Sequence, residues 1–122
     1  MDKNFLLIGA LSAFLAVGLG AFGAHGLRTR LSPDMLAVFE TGVRYQMYHS
    51  LAIVLVGLIV PRLGGWLTST AGWLFTAGVV LFSGSLYALA LTGVSTLGAI
   101  TPIGGLAFLA GCACLALAAA AL

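Results

Sequence analysis

The side chains able to do chemistry crowd into "GVRYQMYHSLA", residues 42–52, directly against the ten uncharged residues "LAIVLVGLIV". Arg44, Tyr45, Gln46, Tyr48 and His49 stand together there, and Glu40 precedes Arg44 by four residues, the favourable order for a helical ion pair. An imidazole in such a place could relay a proton or ligate a metal, and an ionisable group inside a membrane is by default a functional hypothesis. Further hydroxyls, Ser83, Ser85 and Tyr87, fall in "LFSGSLYALAL", and His25 in "GAFGAHGL". Glu40, Arg44, Tyr45, Gln46, Tyr48, His49, Ser83, Ser85, Tyr87 and His25 form the candidate intramembrane polar site.

Each of these residues also has an architectural explanation. Tyrosines suit the aromatic belt at a membrane surface. Serines can bond back to their own helix, and a histidine at a helix end meets the negative end of the dipole. A neutral His49 bonded to a serine or carbonyl of a neighbouring helix satisfies the same physics. The expectation is a polar clasp joining the second, third and fourth helices through "RYQMYHS".

Several chemistries are disfavoured. No HExxH spacing occurs, and no nucleophile has a recognisable base beside it, so an enzyme is not expected. His25 and His49 differ in depth by roughly 14 Å along the helix axis, which argues against a shared metal. Cys112 and Cys114, two positions apart, point about 200° away from each other on a helix and read as small packing residues. No cofactor is expected. Five basic and three acidic residues are scattered without a run, so a nucleic-acid partner is not supported.

The elements that must position these groups follow from hydropathy. Only 7% of the 122 residues are charged and 61% are hydrophobic, with mean hydropathy +1.18, whereas soluble domains carry about 25% charged residues. Four apolar stretches stand out, and backbone polar groups cannot stay unpaired in lipid, so the stretches must be helices. The expected fold is all-α: an integral membrane bundle of four transmembrane helices over about residues 4–24, 33–60, 66–92 and 102–121, forming a single domain across 1–122. The first stretch is too long for the apolar region of a signal peptide, about 7–15 residues, and reads as retained. Pro61, Arg62, Gly64 and Gly65 are expected to break the second. Ser32-Pro33 and Thr101-Pro102 both read as a hydroxyl N-cap followed by proline. Small residues line one face of the first helix (Gly9, Ala13, Ala16, Gly20, Gly23) and of the last (Gly104, Ala107, Gly111, Cys114, Ala118), the pattern that lets membrane helices approach closely.

Pro33 to Val60 spans about 42 Å against a hydrocarbon layer of about 30 Å. His49 therefore falls about 16 Å from Val60, near the midplane. Arg44 and Glu40 fall near the interface opposite the N-terminus, where Ser83, Ser85, Tyr87 and His25 are also expected.

Four blocks, "GAFGAHGL", "TGVRYQMYHSLA", "LFSGSLYALAL" and "TPIGGLAFLAG", together resemble domain-of-unknown-function family 423, the YgdD-like small inner-membrane proteins. The motif positions include Gly20, Gly23, His25, Gly26, Gly42, Tyr45, Gln46, His49, Ser83, Gly84, Ser85, Tyr87, Pro102 and Gly105. The resemblance implies an integral membrane protein of about four helices in the bacterial inner membrane, and it brings no activity, substrate or cofactor. The expected partners are the lipid bilayer and a second copy or a larger membrane complex, for a structural or accessory role. The alternative is a small transporter or channel with a polar site around His49.

Overall fold

The computed structural model describes residues 1–63 and 65–122; Gly64, one of the expected breakers, lies outside the described residues. Helix α1 covers Lys3–His25 and α2 covers Pro33–Leu63. The next rod is continuous but changes pitch: α3 (Gly65–Gly78) passes into a π-helical segment (Val79–Ser83) and on into α4 (Gly84–Thr92). A 3-10 turn, Ser95–Ala99, leads into α5 (Thr101–Ala120). Among the described residues there are four helical runs long and apolar enough to cross a membrane: Lys3–His25, Pro33–Leu63, Gly65–Thr92 and Ser95–Ala120.

Helix starts follow local chemistry with one exception. The Asp2 carboxylate accepts from the Asn4 and Phe5 amides at 3.0 and 3.2 Å, closing the first turn of α1. Ser32 Oγ accepts from Met35 N at 3.2 Å, with Pro33 in the first helical position. Thr101 departs from the expected cap. It already lies inside α5, and its hydroxyl turns away to Ser85 on the preceding rod, 2.6 Å distant. At the end of α4, Gly93 adopts φ +72°, the left-handed stop that glycine tolerates.

Helix α2 does not end at Val60. It runs through Pro61 to Leu63, and the reason lies in another helix. Proline has no N–H to give the carbonyl four residues earlier, which here is that of Gly57. Asp2 N supplies the missing donor across the bundle, 2.9 Å from Gly57 O. Gly57 permits the approach, because a Cβ there would lie 3.0 Å from Leu6 N and 3.1 Å from Asp2 O. Pro61 thus leaves an acceptor open that ties the start of α1 to the end of α2. In Pro61→Ala the new Ala amide competes for Gly57 O, so hydrogen exchange at the Asp2 amide should accelerate. Unchanged protection of that amide would contradict this account.

In lipid, helices gain little from burying apolar surface and associate through close packing and interhelical hydrogen bonds. The small-residue faces serve the packing. A Cβ on Gly9 would fall 2.8 Å from Ser50 O, so α1 lies directly on α2, with Ala16 fully buried in the same seam. On the other side Gly111 of α5 accommodates the Phe75 ring. One cluster of buried side chains, Phe5, Ile53, Val56, Ala71, Phe75 and Phe108, fills one half of the bundle. A second, built on Leu27, Phe39 and Ala90, fills the end near the α1–α2 loop.

Candidate functional site: a polar clasp and a stacked histidine

The buried face of α2 runs Phe39, Gly42, Gln46, Ser50, Ile53, Val56 and Gly57, a three-to-four spacing that keeps one stripe turned inward. Gln46 sits at mid-helix on that stripe and is only 5% exposed. Its amide nitrogen donates to Ser12 O on α1 at 2.9 Å, with Ser12 Oγ at 3.4 Å. Its amide oxygen accepts from Tyr87 Oη on α4 at 2.6 Å. One side chain therefore joins three spans.

The remaining hydroxyls extend the set. Ser50 Oγ lies 2.6 Å from both Gln46 O and Ser12 Oγ. A hydroxyl has one proton, so Ser50 divides its donation between Gln46 O and Ser12 Oγ. Ser83, in the π-helical segment, donates to Gly42 O at 2.6 Å. Ser85 caps the chain of contacts by meeting Thr101 of α5 at 2.6 Å while also lying 2.9 Å from Phe82 O. Among the described residues no buried side-chain nitrogen or oxygen lacks a hydrogen-bond partner. Each interhelical bond is worth about 0.6 kcal/mol on average in a membrane, up to about 1.7. The benefit lies in the number of bonds and in the register they impose.

His49 stands outside this network. Its Nδ1 lies 2.8 Å from Tyr45 O, one turn back on its own helix, and its ring stacks on Phe108 of α5 with centroids 3.5 Å apart and planes 6° from parallel. The imidazole is half-buried. It is thus neither an unpartnered group in lipid nor a link between helices by hydrogen bonding, and its contact with α5 is aromatic. The polar links run through α1, α2 and α4, with Ser85–Thr101 reaching α5, rather than from His49 to the last two spans.

The other expected residues divide. Gln46, Ser83, Ser85 and Tyr87 are brought together around α2 and α4. Tyr45 packs against Phe82 at 4.8 Å and, 37% exposed, edges the α2–α5 side. Tyr48 is 56% exposed and touches Tyr45 edge-on at 5.8 Å. Glu40 and Arg44 are both exposed, and among the described residues neither takes part in an ion pair. His25 closes α1, exposed, where a basic group suits the helix end. Ser12 and Ser50, central to the clasp, were absent from the sequence-derived set. Register marks Ser50, which follows Gln46 by one turn; Ser12 carries no such mark. Cys112 is exposed rather than packed inside, while Cys114 lies against the core. Among the described residues no three His, Cys, Asp or Glu side chains gather as a metal site would require.

Comparison with known proteins accords with this picture. The model of a protein family of unknown function, DUF423, matches residues 19–105, from late α1 to the first turns of α5. The chain is 55% identical over 108 residues to the UPF0382 membrane protein YwdK of Bacillus subtilis, covering 88% of each chain. It is 53% identical over 112 residues to the UPF0382 membrane protein SH2409 of Staphylococcus haemolyticus, covering 89% of this chain and 88% of that one. To SAB0533 of Staphylococcus aureus, also a UPF0382 membrane protein, it is 50% identical with the same coverage. No solved structure matches the chain. With four apolar spans stitched by an internal polar clasp and a family match over most of its length, the chain belongs to the DUF423 family, as an integral protein of the bacterial inner membrane.

Proposed function

We propose that the chain is a structural or accessory membrane component and not an enzyme, one that packs against a second copy of itself or a larger membrane complex. The observation that carries the reading is how the intramembrane polar groups are used. Both ends of the Gln46 amide are occupied by neighbouring spans, and Ser12, Ser50, Ser83, Ser85 and Tyr87 are likewise engaged. Groups so committed hold a shape; releasing them for substrate would undo the bundle. The outer surface carries large apolar side chains such as Phe14, Val80 and Leu106, at 75%, 66% and 65% exposure, where lipid or a partner helix can lie.

Photo-crosslinking in native membranes tests the reading. With benzoyl-phenylalanine placed singly at Phe14, Val80 and Leu106, at least one position should yield a discrete protein adduct. Lipid adducts alone at all three would contradict an assembly role.

A further inference from the structure

We propose that a groove between α2 and α5 binds a lipid-soluble phenol or quinol, held by a hydrogen bond from its hydroxyl to His49 Nε2. The groove has a volume of about 570 Å³ and is lined by Tyr45, His49, Phe82, Phe108, Leu109 and Cys112 among others. That is within the range of small-molecule sites, about 300–1,000 Å³.

The chemistry of the occupant follows from one atom. Tyr45 O can only accept, so the imidazole gives its Nδ1 proton there. The neutral ring then carries a bare lone pair on Nε2, and among the described residues this atom, which is accessible rather than buried, has no hydrogen-bond partner. Phe108 covers one face of the ring at 3.5 Å, and Tyr45 lies nearly parallel, 11° away in plane angle with centroids 6.2 Å apart. The edge of the ring, not its face, is what the imidazole offers. An occupant that bonds this nitrogen must therefore bring a donor, which a quinone, having only acceptors, does not.

Depth narrows the class further. Phe108, on which His49 stacks, lies about 10 Å in from the start of α5, the nearer end of that span. Phospholipid headgroups stay at the surface of a hydrocarbon layer about 30 Å thick, so the donor must belong to a molecule that dissolves in the interior. The rings of Tyr45, Phe82 and Phe108 favour a flat aromatic body over a branched alcohol.

The chain has two histidines, so histidine-selective ¹⁵N labelling of the full chain in lipid nanodiscs reads the site directly. Titration with 4-octylphenol should move the His49 Nε2 resonance saturably and leave His25 unmoved. The methyl ether, 4-octylanisole, keeps the apolar body without the donor. Added as a competitor, it should reverse the phenol shift with an apparent dissociation constant about tenfold above the phenol's own, as expected for one hydrogen bond. Leu109→Trp, at a 68% exposed position, should plug the groove and abolish the phenol shift while the histidine spectrum stays folded. Equal displacement by the ether would reduce the groove to a generic apolar slot and overturn the proposal. So would the absence of any shift, the result if a lipid chain or a second copy fills the groove. A shift that survives Leu109→Trp would overturn it as well.

Discussion

Gln46→Leu should lower the stability of the bundle by about 3 kcal/mol, measured as resistance to unfolding in mixed micelles of mild detergent and dodecyl sulfate. The size follows from what leucine leaves behind. The contacts to Ser12 and Tyr87 vanish, each worth about 0.6–1.7 kcal/mol between membrane helices. The Tyr87 hydroxyl, aimed at the former amide, also loses its acceptor, and a stranded buried polar group costs about 1–3 kcal/mol. Asparagine is too short to reach both neighbours and should recover only part of the loss. By contrast Arg44→Ala, at an exposed position without an ion pair among the described residues, should change stability by no more than about 0.5 kcal/mol. If Gln46→Leu behaved like Arg44→Ala, the clasp would carry no weight.

The second large effect is expected at Gly104. There α5 crosses the π-helical segment so closely that a Cβ would land inside contact distance of Phe82 N and 2.7 Å from Phe82 Cα. Those atoms are backbone and cannot rotate aside, so Gly104→Val must push two spans apart. The cost should reach at least about 3 kcal/mol, the upper end of what overpacking brings, and even Gly104→Ala should destabilise. Separation of α5 would also stretch the Ser85–Thr101 contact and the His49–Phe108 stack on the same interface. Gly18→Ala is the matched control, because nothing lies within 4 Å of that position. It should be neutral or stabilising by up to about 1 kcal/mol, the difference in helix propensity. Similar losses at Gly18 and Gly104 would mean that helix propensity, not close approach, governs these glycines.

Much of this architecture is legible in the residues because lipid removes alternatives. Long uncharged stretches must be helices, and glycine and alanine at three-to-four spacing mark where helices touch, as Gly9, Ala16, Gly104 and Gly111 do. Gln46, Ser83, Ser85 and Tyr87 stand out because polar groups in such stretches must find partners. What stays hidden depends on relations between helices. A lone serine such as Ser12 can always bond to its own backbone, so nothing local says that it meets Gln46, thirty-four residues away. Pro61 reads as a terminator until Asp2 is placed beside Gly57. The π-helical segment has no sequence mark; its neighbours are Gly104 behind it and Gly42, whose carbonyl takes the Ser83 proton. His49 attracts attention by type, yet its surroundings are set by rotation of α2. A turn of the helix by one position would exchange its place with that of Gln46 or Ser50.

The claim at the centre of this account is that the polar face of α2 joins the spans by direct bonds, and a double-mutant cycle tests it most directly. Gln46→Leu, Tyr87→Phe and the pair together isolate the bond between Gln46 Oε1 and Tyr87 Oη, 2.6 Å long, from losses that each change causes alone. Measured by the same unfolding assay, the two changes should be non-additive, with a coupling of about 1 kcal/mol and the double variant less damaged than the sum of the single ones. Strict additivity, with coupling indistinguishable from zero, would contradict the clasp.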